Sequence, residues 1–291
     1  FVSFLIVSIT IIVVAVPEGL PLAVTLSLAY SMMRMMKDQN LVRHLIACET
    51  MGSATCICSD KTGTLTQNRM TVVKLWMAGK TYDDVEAAEK NHSQVIKNFL
   101  SEGISVNSTA SVEPGENGQT LFIGAKTECA LLVLAQKYGY DYQAIRDATK
   151  VLKLFPFSSS KKRMSTLVQE KEDAEKARLY CKGASEVVLD LCSKWMDDKD
   201  NVCELDSTKK KELRQLIDDW ASQGLRTLTL AYRELQKDSI KLNDSKLNLD
   251  EDLTLISIVG IEDPLREEVP TSIAQCKRAG ITVRMLTGDN L

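Results

Sequence analysis

Asp60 opens the run Asp60-Lys-Thr-Gly-Thr-Leu-Thr66, directly after Ala54-Thr-Cys-Ile-Cys58, an apolar, β-prone stretch of strand length, and Ser59. A carboxylate delivered at the carboxyl end of a strand, ahead of a turn rich in Gly and Thr, lies where ligands bind in open α/β sheets. There it can attack a phosphorus atom and form an aspartyl-phosphate. Lys61 adds a fixed positive charge, and the threonine hydroxyls and loop amides can hold phosphoryl oxygens. These residue types point to phosphoryl transfer with Asp60 as nucleophile.

A second constellation sits near the start of the chain, at Pro17-Glu18-Gly-Leu-Pro21. From Phe1 to Pro17 every residue is apolar, Ser or Thr. At about 1.5 Å per residue, a helix of that stretch covers most of a ~30 Å hydrocarbon core. The apolar character continues to Met33 before Arg34, Lys37 and Arg43, so this end is expected to face the cytoplasm. Pro17 and Pro21 remove backbone donors, and carbonyls near Val13, Val14 and Val16 lose helical partners. Unwound backbone at membrane depth is tolerated only where it is packed in protein or lines a cavity, and a lone carboxylate there needs a counter-ion or a proton. Hard oxygens of this kind suit Ca²⁺ and not soft copper. A cation site is expected; the competing reading is a proline-kinked helix end with Glu18 at the lipid interface.

The elements that must position these groups have to come from 291 residues, room for about two domains. A content of 44% hydrophobic and 26% charged residues excludes a disordered tail, a collagen-like repeat and a disulfide-stapled miniprotein. The net charge of −3 gives no support to a nucleic-acid partner. Residues 1–33 hold one charged side chain, Glu18, so a lipid-like segment precedes a water-soluble body. Eight cysteines form no CxxC pair and no zinc pattern, and read as reduced, buried small hydrophobes. With neither Met nor a basic segment at the start, no signal peptide is expected, and the chain reads as an internal piece of a longer protein.

Asp60-Lys-Thr-Gly-Thr-Leu-Thr66 resembles the signature of the P-type cation-transporting ATPases. With Pro17-Glu-Gly-Leu-Pro21, Val42-Arg-His-Leu45 and Ala47-Cys-Glu-Thr-Met-Gly52, the chain is similar to plasma-membrane-type calcium pumps, including the autoinhibited plant-like branch. The resemblance implies an α/β architecture: a haloacid-dehalogenase-like, Rossmannoid phosphorylation domain, here incomplete, with an inserted α+β nucleotide-binding domain and one preceding transmembrane helix. The implied division begins with a transmembrane helix broken at the proline motif (1–33) and the first segment of the phosphorylation domain (34–77). The nucleotide-binding domain (78–250) and a truncated second segment of the phosphorylation domain (251–291) follow. The resemblance also implies ATP as substrate, Mg²⁺ as cofactor with Asp60 and the Thr62 carbonyl as ligands, Ca²⁺ as transported ion, and contact with membrane lipid. The body is expected in the cytosol, below a plasma membrane or endomembrane. Regulation of a full-length protein by calmodulin is compatible with the resemblance and not visible in these residues. Many phosphatases of the same fold carry a second Asp two places after the nucleophile; here Thr62 stands there and cannot act as a base near neutral pH. A phosphoenzyme would therefore persist, as a pump requires and a simple phosphatase does not. A pump for another cation and a non-transporting nucleotide-binding module remain the rival readings.

Four further segments match the family's nucleotide domain. Gly124-Ala-Lys-Thr-Glu-Cys-Ala-Leu131 is similar to the stretch whose Glu meets the adenine amino group, which implies Glu128. Phe155-Pro-Phe-Ser158 with Lys161-Lys-Arg-Met-Ser165 resembles the adenine pocket, with Phe157 stacking and Lys162 and Met164 lining it. Lys182-Gly183-Ala184 and Gly224-Leu-Arg226 are similar to the family's KGA segment and to the segment whose Arg reaches the phosphates. Stacking on a base, a carboxylate accepting an amine, and cations for a polyanionic tail form a coherent set. One departure is Ser159, where sarcoplasmic-type pumps carry an Arg. Near the end, Asp263-Pro-Leu-Arg266 is similar to the hinge-side DPxR motif, and Thr287-Gly288-Asp289 to the triplet that holds phosphate beside the aspartyl-phosphate. The family's acidic Mg²⁺ ligand would lie beyond residue 291, so turnover by these residues alone is not expected.

Patterning predicts a helix capped by Ser207 or Thr208, with Leu213, Leu216, Ile217, Trp220 and Ala221 inward, and another capped by Thr127, with Ala130, Leu131, Leu134, Ala135 and Tyr138 inward. A third should bury Val269, Ile273 and Cys276. Strands are expected at 151–157, 165–169, 178–181, 227–232, 255–259 and 281–286, and loops at 107–119, 197–206 and 236–252.

Overall fold

The computed structural model describes all residues except 16–18, 115–119, 171–172, 174, 241–248 and 287–291. In chain order the elements are α1 (Val2–Ala15), α2 (Gly19–Lys37), α3 (Leu45–Gly52), β1 (Cys56–Asp60), β2 (Thr71–Met77), β3 (Lys80–Tyr82), α4 (Val85–Asn91) and α5 (Gln94–Val106). β4 (Ser111–Pro114), β5 (Thr120–Ile123), α6 (Lys126–Lys137), α7 (Tyr142–Ala148), β6 (Val151–Ser158), β7 (Arg163–Gln169) and β8 (Lys176–Ala184) follow. The remainder holds α8 (Ser185–Leu191), β9 (Cys192–Met196), β10 (Val202–Glu204), α9 (Ser207–Ser222), β11 (Arg226–Gln236), β12 (Leu253–Glu262), α10 (Val269–Arg278) and β13 (Thr282–Leu286). Two compact units result: Phe1–Lys61 with Glu267–Leu291, and Thr62–Arg266.

In the first unit, β1 and β13 pair in parallel from Cys56↔Thr282 to Asp60↔Leu286. A parallel pair needs a long crossover, and here the connection contains the entire second unit. α10 leaves Val269, Ile273 and Cys276 half-buried and its other residues exposed, so the expected stripe is present but none of it is buried. Neither α1 nor α2 buries a single residue, and Val2–Lys37 is the one stretch, among the described residues, long and apolar enough to cross a membrane.

The second unit is built on a nine-stranded sheet in the order β10-β9-β12-β11-β8-β7-β6, with β2 paired to β12 and β3 to β2. Period-two alternation sorts side chains to the two faces. On β2, Leu75 and Met77 join Ile96, Leu100 and Ile104 of α5 and Leu131 of α6. Trp76, between them, joins Val188 of α8 and Leu213 and Trp220 of α9 on the opposite face. Helices thus cover both faces, which explains why β12 is buried continuously from Leu253 to Ile261, Thr254 and Ser257 included, and shows no polar alternation toward solvent. β12 and β2 pair within this sheet from Ser257↔Met77 to Glu262↔Thr71. The compact units accordingly divide at 61 and 266, while the sequence boundaries at 77 and 250 leave these two strands with the phosphorylation segments.

Several local expectations are corrected. Asp206, not Ser207 or Thr208, caps α9, its carboxylate accepting the Lys209 N–H at 2.7 Å; Ala221 is exposed. α6 begins after Ala125 with no side-chain cap, so Thr127 lies inside its first turn. The loops at 107–119 and 197–206 contain the short strands β4 and β10, whose three or four residues are too few to establish a period. The cysteines are all free, but Cys56 and Cys58 are exposed and only Cys129, Cys181 and Cys192 are buried.

Candidate functional site

Asp60 is the last residue of β1 and stands opposite Leu286, the last of β13, so two parallel strands end side by side at this carboxylate. Thr287, Gly288 and Asp289 follow β13 in the chain and lie outside the described residues. Asp60 is exposed, and its Oδ1 accepts the Lys61 N–H at 2.8 Å. Glu18 and Val16 are likewise outside the described residues, and Val13 and Val14 sit in the last turn of α1, which ends at Ala15. No group of three or more His, Cys, Asp or Glu is placed to hold a metal ion among the described residues.

In the second unit the turn after Asp60 is held by side chains remote in sequence. Gly63 takes φ +80°, which glycine adopts at little cost. Its N–H donates to Thr66 Oγ1 at 3.1 Å, and the buried Thr66 hydroxyl donates to Asp263 Oδ2 at 2.7 Å. Asp263 Oδ1 accepts the Arg69 N–H at 3.0 Å. The Arg266 guanidinium donates to the Gly63 carbonyl at 2.9 Å, and its N–H to the Leu65 carbonyl at 3.0 Å. Asp263 and Arg266 are therefore the residues that fix the shape of the turn, one from each end of the Asp-Pro-Leu-Arg segment.

Glu128, Phe157, Met164, Lys182 and Gly183 all line one cavity of about 330 Å³. Adjacent antiparallel strands make this meeting possible: Met164 on β7 and Lys182 on β8 are directly paired and so share a face. Phe157, on β6, is 62% exposed, leaving its ring open to a ligand. Gly183 is required by close approach, since a Cβ there would lie 2.4 Å from the Lys162 carbonyl oxygen. The Lys162 ammonium instead pairs with exposed Glu186 at 3.7 Å, and neither Lys162 nor Arg226, exposed at the start of β11, lines the cavity. Thr109 and Leu228 also line it and belong to no motif singled out as ligand-binding, whereas Ala125, Thr127, Leu131 and Pro156 come from the Gly124–Leu131 and Phe155–Ser158 segments. Leu131 was legible also as a core position of α6.

At the cavity floor Lys182 Nζ lies 2.8 Å from Glu128 Oε1, with both side chains shielded. Glu128 Oε2 accepts the Thr109 N–H at 3.0 Å, the Ala110 N–H at 3.2 Å and the Ser108 and Thr109 hydroxyls, each at 3.2 Å. Burial alone would raise the Glu128 carboxyl, but the Lys182 ammonium and these hydrogen bonds outweigh it and hold the group below the ordinary glutamate value. The arrangement offers an anchored carboxylate oxygen to an amine, an apolar wall of Met164, Leu131 and Leu228, and an open aromatic face.

A second cleft in this unit, about 630 Å³, is larger but chemically unlike a polyphosphate site. Its Arg178 guanidinium lies within 2.5–3.4 Å of Glu170, Glu234 and Glu102, so three carboxylates surround one cation. Size favours this cleft and charge excludes it for an anionic ligand.

A family model described as P-type ATPase, cytoplasmic domain N, matches residues 95–268, a range that includes every residue lining the 330 Å³ cavity. The chain is 49% identical over 292 residues to the calcium-transporting ATPase PAT1 of Dictyostelium discoideum, covering all of this chain and 25% of that protein. It is 48% identical over 299 residues to human plasma membrane calcium-transporting ATPase 4, covering all of this chain and 24% of that one. It is also 48% identical over 291 residues to calcium-transporting ATPase 10, plasma membrane-type, of Oryza sativa subsp. japonica, covering 98% of this chain and 28% of the relative. The chain spans about a quarter of the length of these curated relatives. With nearly half its residues identical along its whole length and the family's domain seated over its cavity, this chain belongs to the P-type ATPase family.

Proposed function

We propose that the 330 Å³ cavity binds the adenine end of ATP, and that Asp60 takes the γ-phosphoryl group within a calcium-transporting pump. The observation that supports this most is the convergence of Glu128, Phe157, Met164, Lys182 and Gly183, five residues from three separate segments, on one cavity. Phe157 stacks on the base, Glu128 accepts the exocyclic amine, and Lys182 keeps that carboxylate ionised. Lys162 and Arg226, outside the lining, serve the phosphate tail. The Asp60 carboxylate attacks the γ-phosphorus as ADP leaves, forming an acyl-phosphate, while Lys61 offsets charge at the phosphoryl group. Thr287, Gly288 and Asp289 act as further phosphate supports. Thr62 supplies no base, so the intermediate waits for water activated elsewhere.

Mg²⁺ neutralises phosphate charge when bound, and the Asp60 carboxylate and Thr62 carbonyl would hold it. Two hard oxygens suit an ion that arrives on phosphates and retains several waters. Ca²⁺ is the cargo, drawn to Glu18 and the Val13, Val14 and Val16 carbonyls of the proline motif and the turn before it. The first unit, with its parallel pair and α10, is read as part of a haloacid-dehalogenase-like phosphorylation domain. The nucleotide domain is inserted in it, and the apolar N-terminal stretch lies in membrane lipid with the body in the cytosol.

The adenine reading is tested by calorimetric titration of the chain with ATP. Phe157→Ala is expected to weaken binding by about 1–3 kcal/mol, the worth of one base–aromatic stack. An unchanged dissociation constant removes Phe157 from the site.

A further inference from the structure

We propose that Asn68 and Lys126 form a positioning latch for the nucleotide cavity, through which the turn after Asp60 sets where α6 places Glu128. The inference rests on the nucleotide reading of that cavity and adds two residues that do not line it. Lys126 is the first residue of α6, two before Glu128, and its ammonium donates to Asn68 Oδ1. Asn68 holds φ +57°, a left-handed conformation that Asn tolerates better than most residues. Its side chain packs over Gly63, where an added Cβ would find it 3.6–3.7 Å away.

The neighbouring residue grips the same place independently. The Arg69 guanidinium lies 5.2 Å from the centre of the Phe122 ring on β5, the strand that leads into α6. The Arg69 backbone N–H is itself fixed to Asp263. One rigid turn, pinned by Asp263 and Arg266, therefore presents two consecutive side chains to the two ends of the 122–126 connection. The start of α6 has no side-chain cap of its own, so its placement depends on such external contacts. A shift of Gly63 would reach Glu128 through Asn68 and Lys126.

The test is a double-mutant cycle on ATP affinity, measured by calorimetry on the full chain. Asn68→Ala and Lys126→Met are each expected to weaken ATP binding about threefold, in keeping with an exposed contact acting at one remove. The double variant should lose the same threefold and not ninefold, because both changes break one link. Lys126→Arg, which keeps the donor, should bind as the unaltered chain does, and the unfolding midpoint should stay constant for both Lys126 variants, while Asn68→Ala lowers it modestly because Ala is strained at positive φ. Equal affinity in all variants, multiplicative losses, or a loss on Lys126→Met without one on Asn68→Ala would each overturn the latch while leaving the nucleotide reading intact. An unaltered chain that binds no ATP would instead overturn the nucleotide reading and the latch with it.

Discussion

In the proposed site Glu128 serves both as a structural anchor and as the contact for the base. Its Oε2 is taken by the 108–110 turn, and Oε1 faces Lys182 at 2.8 Å. Because its folded-state value is depressed, its contribution to stability is complete above the ordinary value of 4.5 and is lost as pH falls through the folded value. Glu128→Gln removes the charge and leaves the Lys182 ammonium buried without its partner. It should cost about 3 kcal/mol at pH 7, as for other broken buried pairs. Urea unfolding of both proteins at pH 7 and pH 3 should show that difference narrowing as the unaltered carboxylate protonates; a constant gap would mean the pair contributes nothing. Asp60 was legible in sequence because its chemistry is local, a carboxylate between a strand-like run and a Gly/Thr turn. Glu128 was named only through a family resemblance, Pro156 appeared only inside a matched segment, and Thr109 and Leu228 were not singled out, since a small or apolar wall residue has no signature until the strands meet.

The junction between α4 and α5 offers a test of a different kind. His92 is buried there, edge-on to Tyr82 with ring centres 5.2 Å apart, and neither of its nitrogens finds a hydrogen-bond partner among the described residues. Burial, with Lys80 and then Lys97 adding to it against the opposing pull of Asp198, lowers its proton affinity. A base with a depressed folded value contributes no penalty above the ordinary 6.5, and stability falls as pH drops below it. His92→Phe should preserve the edge contact, remove two unsatisfied nitrogens and abolish the stability loss between about pH 6.5 and 5. Denaturant melts across that range check it; parallel curves for the two proteins would exclude His92 as their source. Elements themselves were readable where the pattern was long: α6 and α9 follow their apolar stripes, and β12 its mostly apolar run. The misses were short or chemical. β4 and β10 span too few residues for a period, and Asp206 captured the cap of α9 because its carboxylate reached the Lys209 N–H first.

At the scale of the whole molecule, the sequence expectation and the structure divide the chain in different places for a physical reason. β2 and β12 pair with each other and pack helices on both faces, so contacts bind them to Thr62–Arg266 whatever their neighbours in the chain. What links the units in sequence is the Asp60–Thr66 turn, and what shapes it is Asp263 and Arg266 from the far end of the second unit. The central claim is that the smaller cavity, not the larger acidic cleft, takes the nucleotide. Photolabelling of the full chain with 8-azido-ATP, followed by peptide mapping, tests it most directly. The account predicts label on the peptides containing Phe157, Met164 or Lys182, abolished by excess ATP. Label on the peptides containing Phe99 or Tyr140, or label that ATP does not displace, would contradict it.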